Sequence, residues 1–427
     1  MRFNSRLVGG ILLVSGTTIG AGMLALPVST GMAGFVPSLF LLIGYWIFMT
    51  FTAFLMLEVN LWMDRPTNLV SMAGATLGKG GAAVSWITYL FLLYSLTTAY
   101  IAGCDAIIQD LISATTGWIL PSWIGTFPLM LLFAFFVYKG TRSVDLVNRL
   151  LMIGLAISYV MMLIFVAPYV KPYLLKQQEF RYLWLGISVV ATSFGFHIII
   201  PSLTVYFNRD IRQLKKAIFI GSLIPLVVYI LWEFLALGII PKQGPNSILD
   251  GYIQGANGAS LLSNLLGSYT LAMTARFFSL FAIITSFLGV SLSLMDFLED
   301  GLRVGKTRSG RLLLFALTFF PPVLFTLTNP RVFLSALEYA GAFGVVVLLG
   351  LLPALMVWRG RYHKSFATTY TAPGGKIALA LTIAVSLAVI GVEIAIKTGF
   401  APSAWNLSMQ NTTRNSSAAP YDSELTS

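Results

Sequence analysis

A single cysteine, Cys104, and two histidines, His197 and His363, are all the soft metal and redox ligands in 427 residues. One thiol rules out an intramolecular disulfide, and no His/Cys grouping has metal-site spacing. So few histidines leave little material for a His/Glu metal centre or a Ser/His nucleophile, which argues against an enzyme; no cofactor is expected. Charge is as scarce. Asp, Glu, Lys and Arg make up 10% of the chain and apolar residues 57%, far from the composition of a soluble globular protein. Blocks of about ten residues alternating with period two are also missing, which disfavours a β-barrel. What the chain has in abundance is apolar runs of about 20 residues, each long enough to cross a bilayer core of roughly 30 Å as a helix.

The runs predict eleven transmembrane helices, at about 6–30, 35–62, 83–112, 124–139, 145–170, 182–206, 216–240, 269–298, 311–329, 333–357 and 376–398. An odd number puts the two ends on opposite sides. With the N-terminus inside, the cytoplasmic segments hold Arg2 and Arg6; Arg65 and Lys79; Lys139, Arg142 and Arg149; Arg209, Arg212, Lys215 and Lys216; Arg303, Lys306, Arg308 and Arg311; and Arg359, Arg361, Lys364 and Lys376. The other side holds Lys171, Lys176, Arg181, Lys242, Arg331, Lys397 and Arg414, with Arg276 inside a span. The positive-inside rule therefore favours a cytoplasmic N-terminus and an extracytoplasmic C-terminus. Because the basic residues are spread over short loops, the net charge of +11 reflects topology and points to no nucleic-acid partner. The first span resembles a signal peptide in its flanking arginines and small residues, but it is longer than an ordinary h-region and ten spans follow it. From about 401 to 427 the chain turns to Ser, Asn and Thr, with sequons at Asn406, Asn411 and Asn415, and reads as a disordered extracytoplasmic tail. The longest loop, about 241–268, is rich in Gly, Asn and Ser and suits a lid or an interfacial helix.

The first span carries "GTTIGAGMLALP", ending at Pro27, and the sixth carries "TSFGFHIIIP", ending at Pro201. Both read as helices interrupted near the middle. If spans one to five and six to ten are two repeats, the interruptions correspond, and an odd number of spans inverts the second repeat relative to the first, which is the pattern of a secondary-transporter binding site. Unwinding a helix in hydrocarbon leaves backbone groups that each cost several kcal/mol unless protein, water or ligand pairs them, so a break implies a lined cavity. Gly16, Gly20 and Gly22 permit the unusual dihedrals, and Thr17 and Thr18 add hydroxyls. The half-helix starting near Gly22 presents its positive end, suited to a carboxylate; the preceding half presents carbonyls, suited to an ammonium group or a cation. Small residues at 16, 20 and 22 also fit close helix packing alone.

These segments, with "LEVN" at 57–60, "LTTAYIAG" at 96–103, "TSFGFHIIIPS" at 192–202, "RDIRQLKKAIFIGSLIPLVVYILW" at 209–232, "TSFLGVSLSLMDFL" at 285–298 and "FFPPVLFTLTNPRVFLSALEYAG" at 319–341, resemble the hydroxy and aromatic amino acid permease family, in its tyrosine-specific branch. The likeness runs from about residue 6 to 398. It implies an inner-membrane proton symporter for an amino acid, with a LeuT-like fold of two inverted five-helix repeats, about 6–170 and 182–357, broken helices one and six, and an extra helix at about 376–398.

On that basis Thr17, Thr18, Gly20, Ala21 and Gly22, with Ser193, Phe194 and Gly195, are the candidates for holding the substrate backbone, chiefly through main-chain groups. Phe194, Phe196, Tyr94 and Tyr100 are candidates to stack on an aromatic side chain, and Thr97 and Thr98 to bond a phenol hydroxyl. Aromatics make up 13% of the chain, and any one of them more often faces lipid or core. His197, an ionisable group near the midplane beside a break, is a candidate proton carrier or a neutral partner that fixes the break. Glu338, next to Tyr339, reads as a proton shuttle or gate, or as one half of a buried pair. Glu58, Asp105 and Asp296 lie near span ends, Glu233 lies deeper, and Arg276 needs an acid that the sequence does not name. The adjacent hydroxyls Thr285 and Ser286 in span eight suit a sodium ion, as in sodium-coupled relatives of this fold, or simply bond their own helix. Proton-coupled import of tyrosine, with tryptophan or phenylalanine behind it, is thus weighed against sodium coupling and against a serine or threonine permease. A channel would need a continuous polar pore or filter, a sensor would add a signalling domain, and no obligate protein partner is evident.

Overall fold

The computed structural model describes residues 5–400 apart from 65–66, 119–120, 304–306, 329–330 and 367–368. The tail at 401–427 with its sequons lies outside the described residues, as do Arg2, Arg65, Lys306 and Arg414 of the charge pattern. The regular elements that are described are all helical: α1 (Ser5–Thr18), α2 (Gly22–Thr30), α3 (Phe35–Leu61), α4 (Leu69–Leu77), α5 (Lys79–Thr116), α6 (Ser122–Lys139), α7 (Thr141–Val166), α8 (Pro172–Leu175), α9 (Ile187–Ser193), α10 (Ile200–Tyr206), α11 (Ile211–Leu237), α12 (Ile248–Gln254), α13 (Gly258–Leu265), α14 (Tyr269–Leu302), α15 (Arg308–Thr328), α16 (Val332–Tyr339), α17 (Leu352–Tyr362) and α18 (Gly375–Lys397). A π-helical stretch, Ala340–Leu351, joins α16 to α17, and a short 3₁₀ turn, His197–Ile199, precedes α10.

Each predicted span has a helix at its place. Among the described residues nine helical segments are long and apolar enough to cross a bilayer, the interrupted sixth span among them, and the bent pair α1 and α2 makes a tenth; the apolar stretch of α6, Ile124–Lys139, is shorter. Polar residues mark where the helices start. Asn68, Asp210, Ser247 and Asn257 each accept a backbone N–H from the first turn of α4, α11, α12 and α13, satisfying donors that a helix start leaves open. The loop foreseen at about 241–268 holds α12 and α13, both of which pack against α2.

The first span is divided as its glycines suggest. The last α-type bond runs from Ile19 N–H to the Ser15 carbonyl, α2 begins with tight bonds from Met23 and Leu24 to the carbonyls of Gly20 and Ala21, and the axes turn by 54°. Thr17 and Thr18 hydroxyls donate back to the carbonyls of Leu13 and Val14, 2.7 Å each, which favours a bend at this point. The sixth span breaks after Ser193 and resumes through the 3₁₀ turn. Gly341, at the start of the π-helical stretch, packs directly on the backbone of α9: a Cβ there would run into the Ser188 carbonyl. That close approach fixes α9 against α16 and the π-helical wall.

Several ionisable groups inside the bundle have polar neighbours on other helices. Glu58, fully buried on α3, takes two hydrogen bonds from Arg361 of α17, one of 2.6 Å from Nε and a second from Nη2 to Oε2. It also accepts the Ala372 N–H at 2.7 Å. Glu233 accepts the Thr30 hydroxyl at 3.0 Å, tying α11 to α2. Arg276 shares a small pocket with Asp110, the acid that the sequence left unnamed.

Candidate functional site

The two breaks meet around one cavity of about 430 Å³, within the size range of pockets for small organic ligands. Thr17, Thr18, Gly20 and Gly22 line it from the first span, and Ser193 and Gly195 from the sixth. Three long helices add one stripe each. On α5 the lining residues are Tyr89, Leu92, Leu93, Leu96 and Tyr100; on α14 they are Thr285, Ser286, Gly289, Val290 and Ser293; α7 contributes Asn148 and Met152. These are i, i+3, i+4 and i+7 positions, the single face that a helix can turn to a neighbour. Val345 and Leu349 of the π-helical stretch complete an apolar wall.

Polar contacts hold the two breaks together. The Tyr229 hydroxyl, buried on α11, lies 2.7 Å from the Thr18 carbonyl and 2.8 Å from the Ser193 carbonyl, so one O–H serves the last residues of α1 and α9. Its ring meets Phe194 edge-on at 5.2 Å. The Ala21 N–H donates to the Ser286 hydroxyl at 2.8 Å, and Gly20 is packed so closely on Ser286 that a Cβ there would collide with its Oγ. The N–H groups of Gly20 and Gly22 find no partner among the described residues. Asn148 Oδ1 is buried without a hydrogen bond in the same cavity. Two backbone donors at the start of α2, with the positive end of that helix behind them, suit an anionic group.

The cavity is one-sided. Toward the start of α1, Leu12, Leu13 and Ile198 are exposed. Toward the other end all of α2 is buried, the Trp232 indole donates to the Met23 carbonyl at 2.8 Å, and α12 and α13 cover α2.

Of the residues singled out in the sequence, the structure gathers Thr17, Thr18, Gly20, Gly22, Tyr100, Ser193, Gly195, Thr285 and Ser286 around the cavity, with Ala21 joined to it through Ser286. The others are elsewhere. Tyr94 donates to the Leu317 carbonyl at 2.9 Å, and Thr97 and Thr98 donate to the Leu93 and Tyr94 carbonyls at 2.8 Å. These three sit off the stripe that α5 turns inward. Phe194 and Phe196 are buried behind the sixth-span break. Thr285 spends its hydroxyl on the carbonyls of Phe281 and Ala282, at 2.8 and 3.1 Å. His197 is buried outside the cavity. The Thr52 hydroxyl lies 2.8 Å from His197 Nε2 and 3.1 Å from the Met49 carbonyl, and His197 Nδ1 makes no hydrogen bond among the described residues. Glu338 lies beyond the closed end, 2.6 Å from the Lys397 ammonium and 3.2 Å from the Tyr252 hydroxyl.

Tyr229, Asn148 and Met152 were not foreseen. A tyrosine in the apolar run "LIPLVVYILW" was the available signal, since a buried phenol needs a hydrogen-bond partner.

Residues 4–393 match the tryptophan/tyrosine permease family. The chain belongs to that family. Its curated relatives include tyrosine-specific transport system 1 of Haemophilus influenzae, 34% identical over 407 residues covering 93% of this chain and 99% of that protein. The tryptophan-specific transport protein of the same organism is 32% identical, covering 92% and 97%, and the low affinity tryptophan permease of Escherichia coli is 30% identical, covering 89% and 93%. These relatives are named as transport proteins and permeases, not enzymes. The match to the tryptophan/tyrosine permeases takes in both breaks, every lining residue and the whole length of α1 to α17.

Proposed function

We propose that this permease imports an aromatic amino acid across the bacterial inner membrane, tyrosine first and tryptophan or phenylalanine behind it, by proton symport and alternating access. The observation that carries the reading is the meeting of two broken helices at one apolar-walled cavity with unpaired N–H groups at Gly20 and Gly22. The substrate carboxylate takes those donors. Thr17, Thr18, Ala21, Ser193 and Gly195 supply main-chain and hydroxyl groups around its backbone. The ring lies on the wall of Leu93, Leu96, Val345 and Leu349, within reach of Tyr100 and Asn148. Such a wall favours an aromatic ligand over serine or threonine. The relatives' names agree with this substrate class.

The corresponding breaks in the first and sixth spans support two inverted repeats, about 6–170 and 182–357, followed by an extra helix. With the N-terminus cytoplasmic, as the loop charges favour, the open end of the cavity faces inward and the lid of α12 and α13 seals the periplasmic side. One proton moving inward down 100 mV provides about 2.3 kcal/mol, roughly fifty-fold accumulation of a neutral zwitterion. Sodium coupling is the second reading, because Thr285 and Ser286 line the cavity and their hydroxyl oxygens keep lone pairs for a hard cation even where the hydrogen is donated to the helix. The test is uptake of labelled tyrosine and tryptophan into proteoliposomes under a pH gradient or a sodium gradient. Accumulation driven by the pH gradient is expected; accumulation driven by sodium alone overturns the coupling, and no accumulation of either amino acid overturns the substrate class.

A further inference from the structure

Beyond the closed end of the cavity, three helices and the lid converge on two buried carboxylates. Glu338 of α16 and Glu393 of α18 are 4% and 3% exposed. They share one ammonium: Lys397 Nζ is 2.6 Å from Glu338 Oε2 and 3.5 Å from Glu393 Oε1. Glu393 Oε1 makes no hydrogen bond, while Oε2 accepts the Ser188 hydroxyl of α9 at 2.6 Å. Glu338 Oε1 accepts the Tyr252 hydroxyl of α12 at 3.2 Å. The other titratable and charged groups around the cluster are Tyr45 of α3, whose buried hydroxyl has no hydrogen-bond partner and which feels the charge of Glu393; Tyr339, beneath the Lys397 ammonium; and Arg331, stacked on the far partner Tyr252 at 5.0 Å.

We infer that Glu393, with Glu338 and Lys397, is the site that binds the coupling proton. The inference rests on the reading of the protein as a proton symporter. Two buried carboxylates on one ammonium, itself 29% exposed, leave a net negative charge on the three groups, and one proton neutralises it. The proton comes from periplasmic water when the lid carrying Tyr252 lifts, and it resides as an O–H on Glu393 Oε1, the carboxylate oxygen that makes no hydrogen bond and has only the longer 3.5 Å contact with Lys397. No other bond forms or breaks. The consequence reaches the substrate through α9. Ser188 is held by Glu393, and Ser193, five residues on, lines the cavity, about 7 Å along the helix axis. Thr192 fastens the same helix to α16 by donating to the Leu337 carbonyl at 2.9 Å. Charging and discharging Glu393 therefore acts on the half-helix whose end frames the substrate.

The experiment uses the full-length protein in proteoliposomes. It compares pH-driven accumulation of tyrosine with counterflow, in which unlabelled tyrosine inside exchanges for labelled tyrosine outside and no net proton movement is needed. For one proton per substrate, native protein under a one-unit gradient is expected to accumulate about tenfold. Glu393→Gln is expected to bring accumulation to about unity, abolish tyrosine-induced proton uptake and preserve counterflow; Glu393→Asp is expected to restore coupling. Native-like pH-driven accumulation in both Glu393→Gln and Glu338→Gln overturns the site. Loss of coupling in Glu233→Gln or His197→Gln, with Glu393→Gln unaffected, also overturns it and moves the proton to that residue. Loss of counterflow in both cluster variants overturns it as well, because the carboxylates would then serve the conformational cycle rather than the proton. Native accumulation that follows sodium instead removes the proton-symport reading itself, and is distinguishable because it is seen before any variant is made.

Discussion

The Tyr229 hydroxyl stands between two carbonyls, 2.7 Å from that of Thr18 and 2.8 Å from that of Ser193. Those carbonyls end α1 and α9, the half-helices that precede the breaks in the first and sixth spans. A phenol on a third helix thus takes up part of the carbonyl capacity that a broken helix exposes, and sets the spacing of the two breaks. The expected open carbonyl end in the first span is consequently occupied in part, while the donor end at Gly20 and Gly22 stays free.

Tyr229→Phe keeps the ring against Phe194 and removes the O–H. Two buried carbonyls lose their donor, at about 1–3 kcal/mol for each group left unsatisfied. The expected result is a folded protein with a lower thermal midpoint and a higher KM for tyrosine, measured by a melting curve in detergent and by uptake kinetics. An unchanged KM would mean that the bridge does not set the site's geometry.

At Gly20 the close neighbour is the Ser286 hydroxyl. Gly20→Ala is expected to abolish tyrosine binding, by isothermal titration or by uptake, because the new methyl and Oγ occupy the same space. Adding Ser286→Ala removes the obstructing oxygen and should recover part of the binding, although the Ala21 N–H loses its acceptor. Equal loss in the single and double variants would show that the steric account is wrong.

Which face of α5 meets the substrate can be tested directly. Thr97→Val and Thr98→Val remove hydroxyls that serve their own helix, and uptake should change little. Leu96→Trp fills the cavity wall and should block uptake in protein that still folds. The reverse pattern would place the phenol-binding face where the sequence first suggested.

One-sided access makes a labelling prediction. Cys104 is the only cysteine and is buried, so a Cys104→Ser background is a clean host. Ser293→Cys, at the open end, is expected to react with a membrane-impermeant thiol reagent applied from the side of the N-terminus. Met23→Cys, under the lid, is expected to be protected from either side in this conformation. Rapid reaction at Met23→Cys would point to an outward-open resting state.

Glu58 and Arg361 form the buried ion pair that ties α3 to α17. Arg361→Met leaves the carboxylate uncompensated, which costs about 3–5 kcal/mol for a buried charge stripped of its partner. A large fall in thermal midpoint is expected, with much of it recovered in the Glu58→Gln, Arg361→Met pair. Equal midpoints for native protein and Arg361→Met would mean that water solvates Glu58.

The sequence by itself determined the helices, their order and the places where two of them break. Hydrocarbon forces every span to satisfy its backbone internally, so hydropathy, glycine and proline carry that information locally. It also marked the glycines and hydroxyls at 16–22 and 193–195, because a break in a membrane helix has few acceptable compositions. The rotation of each helix about its axis was decided only by the tertiary structure. Thr97 and Tyr100 are three residues apart in one apolar run, yet only Tyr100 faces the cavity, since packing against α14 and the π-helical wall chooses the stripe. Pairings across distant segments were equally invisible: Tyr229 with Thr18 and Ser193, Glu58 with Arg361, and Glu393 with Ser188 and Lys397 join residues far apart in the chain. Composition states that a buried polar group needs a partner; only the packed bundle states which one it has.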